Sequence, residues 1–295
     1  MTAPLDRAAP LDKRLNAMRP DLADVRLKGR VEADRFVEGR PEIVLDPIAP
    51  LRRAPRPDAA LETEALYGET VLVFETDEEG WSWVQLLSDG YVGYMPTTAL
   101  GPSLGPSFAL PTHRVAVPRT LLFPGPDIKL PPLAGLPMGA LVAVRGEAAD
   151  HNATYGLVHP AGAIVRQHLS LPDAAAEDVV ATAERFLGTP YLWGGKSTLG
   201  IDCSGLVQLA LSMAGCAAPR DADLQEQALG APLPTTEPLR RGDLVFWKGH
   251  VGLMADKTRL LHANAFHMMV TIEPLADVVA RAEARGSRVT SVRRL

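Results

Sequence analysis

The rhythm of hydrophobic and polar positions changes along the chain. Over Leu11–Val31 apolar residues recur weakly at helical spacing among charges and prolines, so residues 1–40 read as an arm or short helical extension rather than a domain. From Pro41 to about Leu100 the pattern becomes short β-type runs, Glu42–Leu45, Thr70–Phe74, Ser82–Leu87 and Tyr91–Met95, divided by Gly, Pro and Asp. A second such region runs from Pro111 to Leu169. After Ser170–Asp173 the pattern turns helical and then β. Ala174–Leu187 reads as an amphipathic helix ended by Gly188 and Pro190, and a glycine-rich loop, "YLWGGKSTLG", leads to a helix opening at Asp202. Strands are expected at Asp243–Trp247, His250–Ala255, Arg259–Ala265 and Ser287–Arg293. Helices first and an antiparallel sheet second define an α+β domain.

The two β regions look like copies of one unit. At an offset of 69, Asp58 of "PRPD" falls on Asp127 of "PGPD", Leu72-Val73 on Leu141-Val142, Gly93 on Gly162 and Leu100 on Leu169. Units of this size built from short strands suggest small barrels. Trp81, Trp83, Tyr91 and Tyr94 give the first copy an aromatic-rich face, and the second has Asp150, Asn152, Pro160 and Ala163 at those positions. The expected organisation is an arm (1–40), a first β domain (41–105), a second (106–170) and an α+β domain (171–295).

Composition narrows the function. A chain of 295 residues is long enough for two or three domains, and a net charge of −5 gives no reason to expect nucleic acid as a partner. The first residues hold no apolar signal-peptide core and no run approaches membrane-spanning length, so the expectation is a cytoplasmic protein without membrane contact. The two cysteines, Cys203 and Cys216, would lie roughly 20 Å apart on one helix and are expected as free thiols, Cys216 serving packing.

The stretch "IDCSGLVQLAL" holds the most informative chemistry. Asp202 is a good N-cap for an apolar helix, which puts Cys203 in the first turn, where unpaired N–H groups and the helix dipole favour thiolate and could stabilise an oxyanion. Gly205 would allow another segment close approach. A small buried hydrophobe is the competing reading of such a cysteine. Of seven histidines, His250 in "GHVGLM" and His262 in "LLHANA" stand in consecutive strands. An odd-numbered loop centred on Asp256 would set them opposite each other on one face. A thiol at a helix mouth, a histidine facing it and a polar group orienting that histidine make the constellation for a thiol nucleophile. No metal-ligand spacing, CxxC or phosphate-binding glycine pattern occurs, and no cofactor is expected.

These motifs carry a resemblance. "TPYLWGG", "IDCSGLV", "RRGDLVFWKGHVGLM" and "LLHANA", in that order over 171–295, closely resemble the NlpC/P60 family of papain-like cysteine peptidases, and "GWSWVQLLSDGYVGYMPTTAL" resembles bacterial SH3 domains. Two such barrels ahead of the peptidase are similar to the γ-D-glutamyl-L-diamino acid endopeptidases that trim cell-wall peptides. The resemblance implies Cys203 as nucleophile, His250 as base, His262 as its orienting residue and Tyr191 near the oxyanion. It also implies that Asp202, Ser204, Glu69 and Tyr91 (Tyr94 being the lesser choice) read the free amine of an N-terminal L-Ala in a murein peptide. The rivals are a hydrolase of intact wall anchored by its SH3 domains and a non-catalytic peptide-binding protein.

Overall fold

The computed structural model describes residues 11–103, 109–234 and 236–295. The first ten residues of the expected arm and the expected boundary at 105/106 lie outside the described residues.

Within the arm, the weak periodicity of Leu11–Val31 does not yield a helix. Leu22–Asp24 pairs in parallel with Arg35–Val37, and Asp24 caps a single 3-10 turn, Val25–Leu27. Proline at position 20 cannot sit inside a helix. Tertiary burial decides the rest: Ala17 and Leu22 pack on Phe74 and Trp83, with Tyr94 alongside, and the Arg19 guanidinium lies 4.4 Å over the Trp83 ring. Trp83 and Tyr94 of the expected aromatic face therefore seat the arm, whereas Tyr91 joins the core of the unit.

The first β unit is one seven-stranded sheet curled around a core of Val44, Leu51, Val71, Val84, Leu86 and Met95. The expected runs form strands, joined by Ile48–Arg52, Leu61–Leu66 and Leu100–Pro102, whose alternation is interrupted by Pro50 and by several carboxylates. The second unit builds a five-stranded sheet and a separate hairpin around Val115, Leu136, Val142 and Ile164.

The two units repeat the same hydrogen bonds. Val44 N–H donates to the Glu69 carbonyl and Gly68 N–H to that of Val44; Val115 donates to Ala140 and Gly139 to Val115. Both long hairpins carry a bulge at the equivalent place, Val73/Glu75 and Val144/Gly146. These equivalences run at an offset of 71, so the expected match of Leu72-Val73 to Leu141-Val142 is displaced by two residues, as is that of Asp58 to Asp127. The tail matches at 69 as expected: Tyr94 bridges Arg52 as Ala163 bridges Phe123, and Leu100 pairs with Val44 as Leu169 pairs with Val115. In the second copy the first hairpin is three residues longer and the next five shorter, which together account for the difference of two.

In the α+β part, four helices accompany a six-stranded antiparallel sheet: α1 (Val179–Glu184), α2 (Cys203–Met213), α3 (Ala222–Ala228) and α4 (Leu275–Glu283). The sheet order is Ala231–Pro232, Val289–Arg294, Leu244–Trp247, His250–Met254, Arg259–Asn264, Met269–Pro274. The expected helix from Ala174 starts only at Val179, because the Asp178 carboxylate caps the N–H groups of Val180 and Ala181. Two helices, α3 and α4, and two strands of the sheet, Ala231–Pro232 and Met269–Pro274, escaped the hydrophobic pattern. The run "LVFW" is apolar throughout because both sheet faces are covered. Leu244 and Phe246 join the core shared with α1 and α2, whereas Val245 and Trp247 pack towards Val278 of α4. Helix α2 is buried on almost every side.

Candidate active site

Helix α2 begins as its local sequence dictates. Asp202 is extended and its Oδ1 accepts the Gly205 N–H at 2.7 Å, so Cys203 opens the first turn. Gly205 has no side chain for a steric reason: a Cβ there would stand 2.5 Å from the Gly195 carbonyl oxygen. Gly195 belongs to the glycine-rich loop, whose Gly194 N–H donates to Asp202 Oδ2 at 2.8 Å. The backbone amides of Val251, directly after His250, and of Ser204 favour the thiolate.

The histidines meet through the strand pairing Leu253↔Leu261 and Met254↔Leu260. That register centres the turn on Lys257 rather than Asp256, so His250 and His262 are diagonal rather than opposite. Their shared parity still puts them on one face, and His250 Nε2 lies 2.8 Å from His262 Nδ1. The relay continues beyond the expected residues. His262 Nε2 lies 2.9 Å from Glu273 Oε1, and Arg281 of α4 holds both Glu273 oxygens, at 2.6 and 3.0 Å. Burial opposes ionisation of Glu273, but the Arg281 and His262 hydrogen bonds outweigh it and bring its pKa down to about 2. An ionised Glu273 must accept, so His262 Nε2 carries hydrogen and its Nδ1 accepts from His250. His250 is left with its Nδ1 lone pair free to take a proton.

Burial corrects the expected ionisation. The Cys203 thiol is pushed up to about 12, first by burial and then by Asp202, despite the helix dipole. His250 is pushed down to about 3 by burial and the neighbouring His262. Removing a thiolate from water costs more than half a unit of dipole charge returns. The resting site therefore holds neutral thiol and neutral imidazole. Cys216, expected in the core, is exposed.

A cavity of about 280 Å³ opens beside Cys203, lined by Tyr91, Tyr191, Trp193, Asp202, Ser204, Asp221 and Glu62, among others. Tyr191 is held protonated by burial, next to Cys203. Tyr91 reaches the cavity and its hydroxyl donates to Asp221 Oδ2 at 3.0 Å, whereas the Tyr94 hydroxyl binds Arg19 away from it. Asp202 and Ser204 line the cavity, but not as free amine readers. Arg220, fully buried, forks onto both Asp202 oxygens at 2.9 and 2.7 Å and donates to Ser204 Oγ at 2.9 Å. Arg220 also donates to Thr63 Oγ1 of the first β unit at 2.7 Å.

Glu69 is misplaced by the sequence reading. Its Oε2 accepts the Leu66 N–H at 2.7 Å, it pairs with buried Lys196 at 3.5 Å, and it faces a separate small cavity beside Gln208, Leu209 and Ser212, further along α2. The carboxylate that the first unit does bring to the Cys203 cavity is Glu62, paired with Arg53. Asp221 precedes α3, a helix that the polar connection concealed, and no local pattern singled it out. Glu273 sits at an unforeseen strand–helix junction; a carboxylate closing an alternating "MVTIEP" run was its faint signal.

An unpaired thiol at a helix mouth, packed on an antiparallel sheet that carries a bonded histidine pair, defines a papain-like cysteine peptidase. Residues 188–288 match the NlpC/P60 family, and residues 51–100 match the bacterial dipeptidyl-peptidase SH3 domain. The chain is 31% identical to dipeptidyl-peptidase 6 of Lysinibacillus sphaericus, over 80% of this chain and 92% of that one. It is 30% identical to the gamma-D-glutamyl-L-lysine dipeptidyl-peptidase of Bacillus subtilis, over 77% and 80% respectively. An NlpC/P60 family protein from Bacillus cereus shares the fold with a TM-score of 0.70 at 23% identity, covering 86% of this chain and 99% of that one. The chain belongs to the NlpC/P60 family and is a cysteine peptidase. Among the described residues no helix is long and apolar enough to cross a membrane.

Proposed function

We propose that the enzyme cleaves the bond between γ-D-Glu and an L-diamino acid in free murein peptides that begin with L-Ala. The carrying observation is the cavity beside Cys203, where two carboxylates, Glu62 and Asp221, and the Tyr91 hydroxyl converge. Asp221 Oδ2 is engaged by Tyr91 and Arg14, and its Oδ1 has no hydrogen-bond partner among the described residues. Such a set suits one ammonium group, because burying a cation requires pairing it. The names of the relatives support the same bond.

In this reading His250 Nδ1 takes the Cys203 proton as the sulfur attacks the γ-carbonyl carbon of D-Glu. Both charges arise together and attract, which offsets the desolvation that disfavours each alone. N–H groups at the mouth of α2 stabilise the oxyanion, and Tyr191 closes over it. His250 then gives its proton to the leaving amine, and water releases the thioester. His262, locked by Glu273, keeps the His250 ring turned to the sulfur. Asp202 caps the helix and Arg220 neutralises it, while the amine is read by Asp221, Glu62 and Tyr91.

The test is incubation with L-Ala-γ-D-Glu-diaminopimelate, its N-acetyl derivative and intact cross-linked wall, with products followed by mass spectrometry. Dipeptide release from the free peptide alone is expected. Equal cleavage of free and acetylated peptides would overturn the amine reading and favour a hydrolase of intact wall.

A further inference from the structure

The arm contributes a side chain to the cavity. Arg14 lines it together with Cys203, although 189 positions separate the two in sequence. Its backbone is fixed to the first β unit: the Arg14 carbonyl accepts the Val92 N–H at 2.8 Å, the Leu15 carbonyl accepts Gln85 Nε2 at 2.9 Å, and Leu15 packs against that unit's core. Its guanidinium is fixed to the other side. One terminal nitrogen donates to Asp221 Oδ2 at 2.7 Å and Asp223 Oδ1 at 2.9 Å; the other donates to Asp223 Oδ2 at 2.8 Å and Asp12 Oδ2 at 2.7 Å. A planar fork held by three carboxylates is a rigid wall, unlike the mobile ammonium of a lysine.

The charge around the cavity has a consequence. Arg14, Arg53 and Arg220 stand against Glu62, Asp202, Asp221, Asp223 and Asp12, so the surroundings of the cavity keep a net negative charge. The cavity accommodates one further cation. Arg14 takes the same Asp221 oxygen as Tyr91, so it orients that carboxylate while leaving Oδ1 for a ligand.

We propose that Arg14 is the specificity-determining end wall of the substrate cavity, contributed by the arm, which positions Asp221 for a terminal ammonium and blocks peptides that continue or are acylated beyond it. The inference rests on the free-amine reading above and gives residues 12–15 a function. Removing the wall admits an acyl group or an additional residue, and it loosens Asp221.

The experiment measures kcat and KM for the free peptide, its N-acetyl derivative and a peptide extended by one N-terminal residue, with wild type, Arg14→Ala and Arg14→Lys, alongside thermal melts. Arg14→Ala is expected to reduce the preference for the free amine by roughly tenfold, through a higher KM for the free peptide and a gain on the blocked ones, with kcat for the free peptide nearly unchanged. Arg14→Lys, a compact charge without the fork, should fall between the two, and it carries the test if the alanine variant does not fold. A wild type that discriminates while both variants keep its ratio overturns the role of Arg14 alone. Equal slowing of all three substrates together with a lower Tm also overturns it, as a purely structural effect. A wild type without preference removes the amine reading itself.

Discussion

Eight residues separate Val84 from Gly93 in the first β unit, and three separate the equivalent Val158 from Gly162 in the second. The longer loop holds Asp89 and Tyr91. Asp89 accepts from Gln208 on α2 at 2.9 Å, and Tyr91 reaches Asp221 at the mouth of the cavity. The second unit lacks the loop, and Ala140 and Leu133 replace Glu69 and Glu62. It meets α2 at the other end: buried Arg114 donates to the carbonyls of Ser212 at 2.9 Å, Met213 at 2.8 Å and Ala174. The Ser212 and Met213 carbonyls lie at the C-terminus of α2, where a cation is favoured. One duplicated scaffold thus attends both ends of the helix that begins with Cys203. The first copy lines the cavity, and the second holds the helix down. A few loop residues, rather than the barrel itself, separate these roles.

The sharpest way to break this division is to alter each end. Asp221→Asn, which removes the carboxylate that Tyr91 orients, should lower kcat/KM for the free peptide by roughly 30-fold or more, since truncating one charged partner of a buried ammonium costs about 2–5 kcal/mol. Its melting temperature should stay near wild type, and a large fall in Tm with unchanged kcat/KM would reverse the assignment. Glu273→Gln keeps an acceptor for His262 but loses the charge behind the relay. A fall of about tenfold in kcat is expected, with KM held and the preference for a free amine intact. Steady-state kinetics on the free and acetylated peptides test this.

Arg114→Ala should do the opposite of Asp221→Asn. Three carbonyls lose a charged donor in a buried place, so urea melts should show about 2–3 kcal/mol less stability, with kcat/KM preserved at low temperature. Loss of activity at full stability would mean that the second unit acts on the site directly.

Acid should disclose the buried histidines. His250 and His262 are both held neutral below their ordinary range in the folded protein. Below pH 6.5 the unfolded chain binds protons that the folded one refuses. The stability that His250 contributes is complete above that pH and is lost as pH falls towards 3, and His262 adds to the loss in the same direction. One such proton gives a slope of about 1.4 kcal/mol per pH unit, and His250→Gln should flatten it between pH 6.5 and 4.5 in urea melts. The smallest effect concerns the thiols: iodoacetamide at neutral pH should label exposed Cys216 before Cys203, and mass spectrometry of the alkylated peptides reads the order.

Local rules made part of the molecule legible before any fold was known. An N-cap bond spans three residues, so "DCSG" announces a cysteine at a helix mouth wherever that helix lies. Strand parity depends only on counting, so His250 and His262 share a face even with the turn centre misplaced by one. The likeness of the two β units also shows in the sequence, although hairpins of unequal length blurred its register. Ionisation was not legible, because the dipole at Cys203 is local whereas the burial that overrides it comes from strands some fifty residues away. Nor was the choice of Glu62 over Glu69. Both lie in one short segment, and only the docking of the first unit against α2 and α3 decides which one meets the cavity. Arg14 and Asp221, 207 positions apart, touch because three packed units bring them together. Contacts of that range leave no period or spacing in a single chain, and their existence is settled by tertiary packing alone.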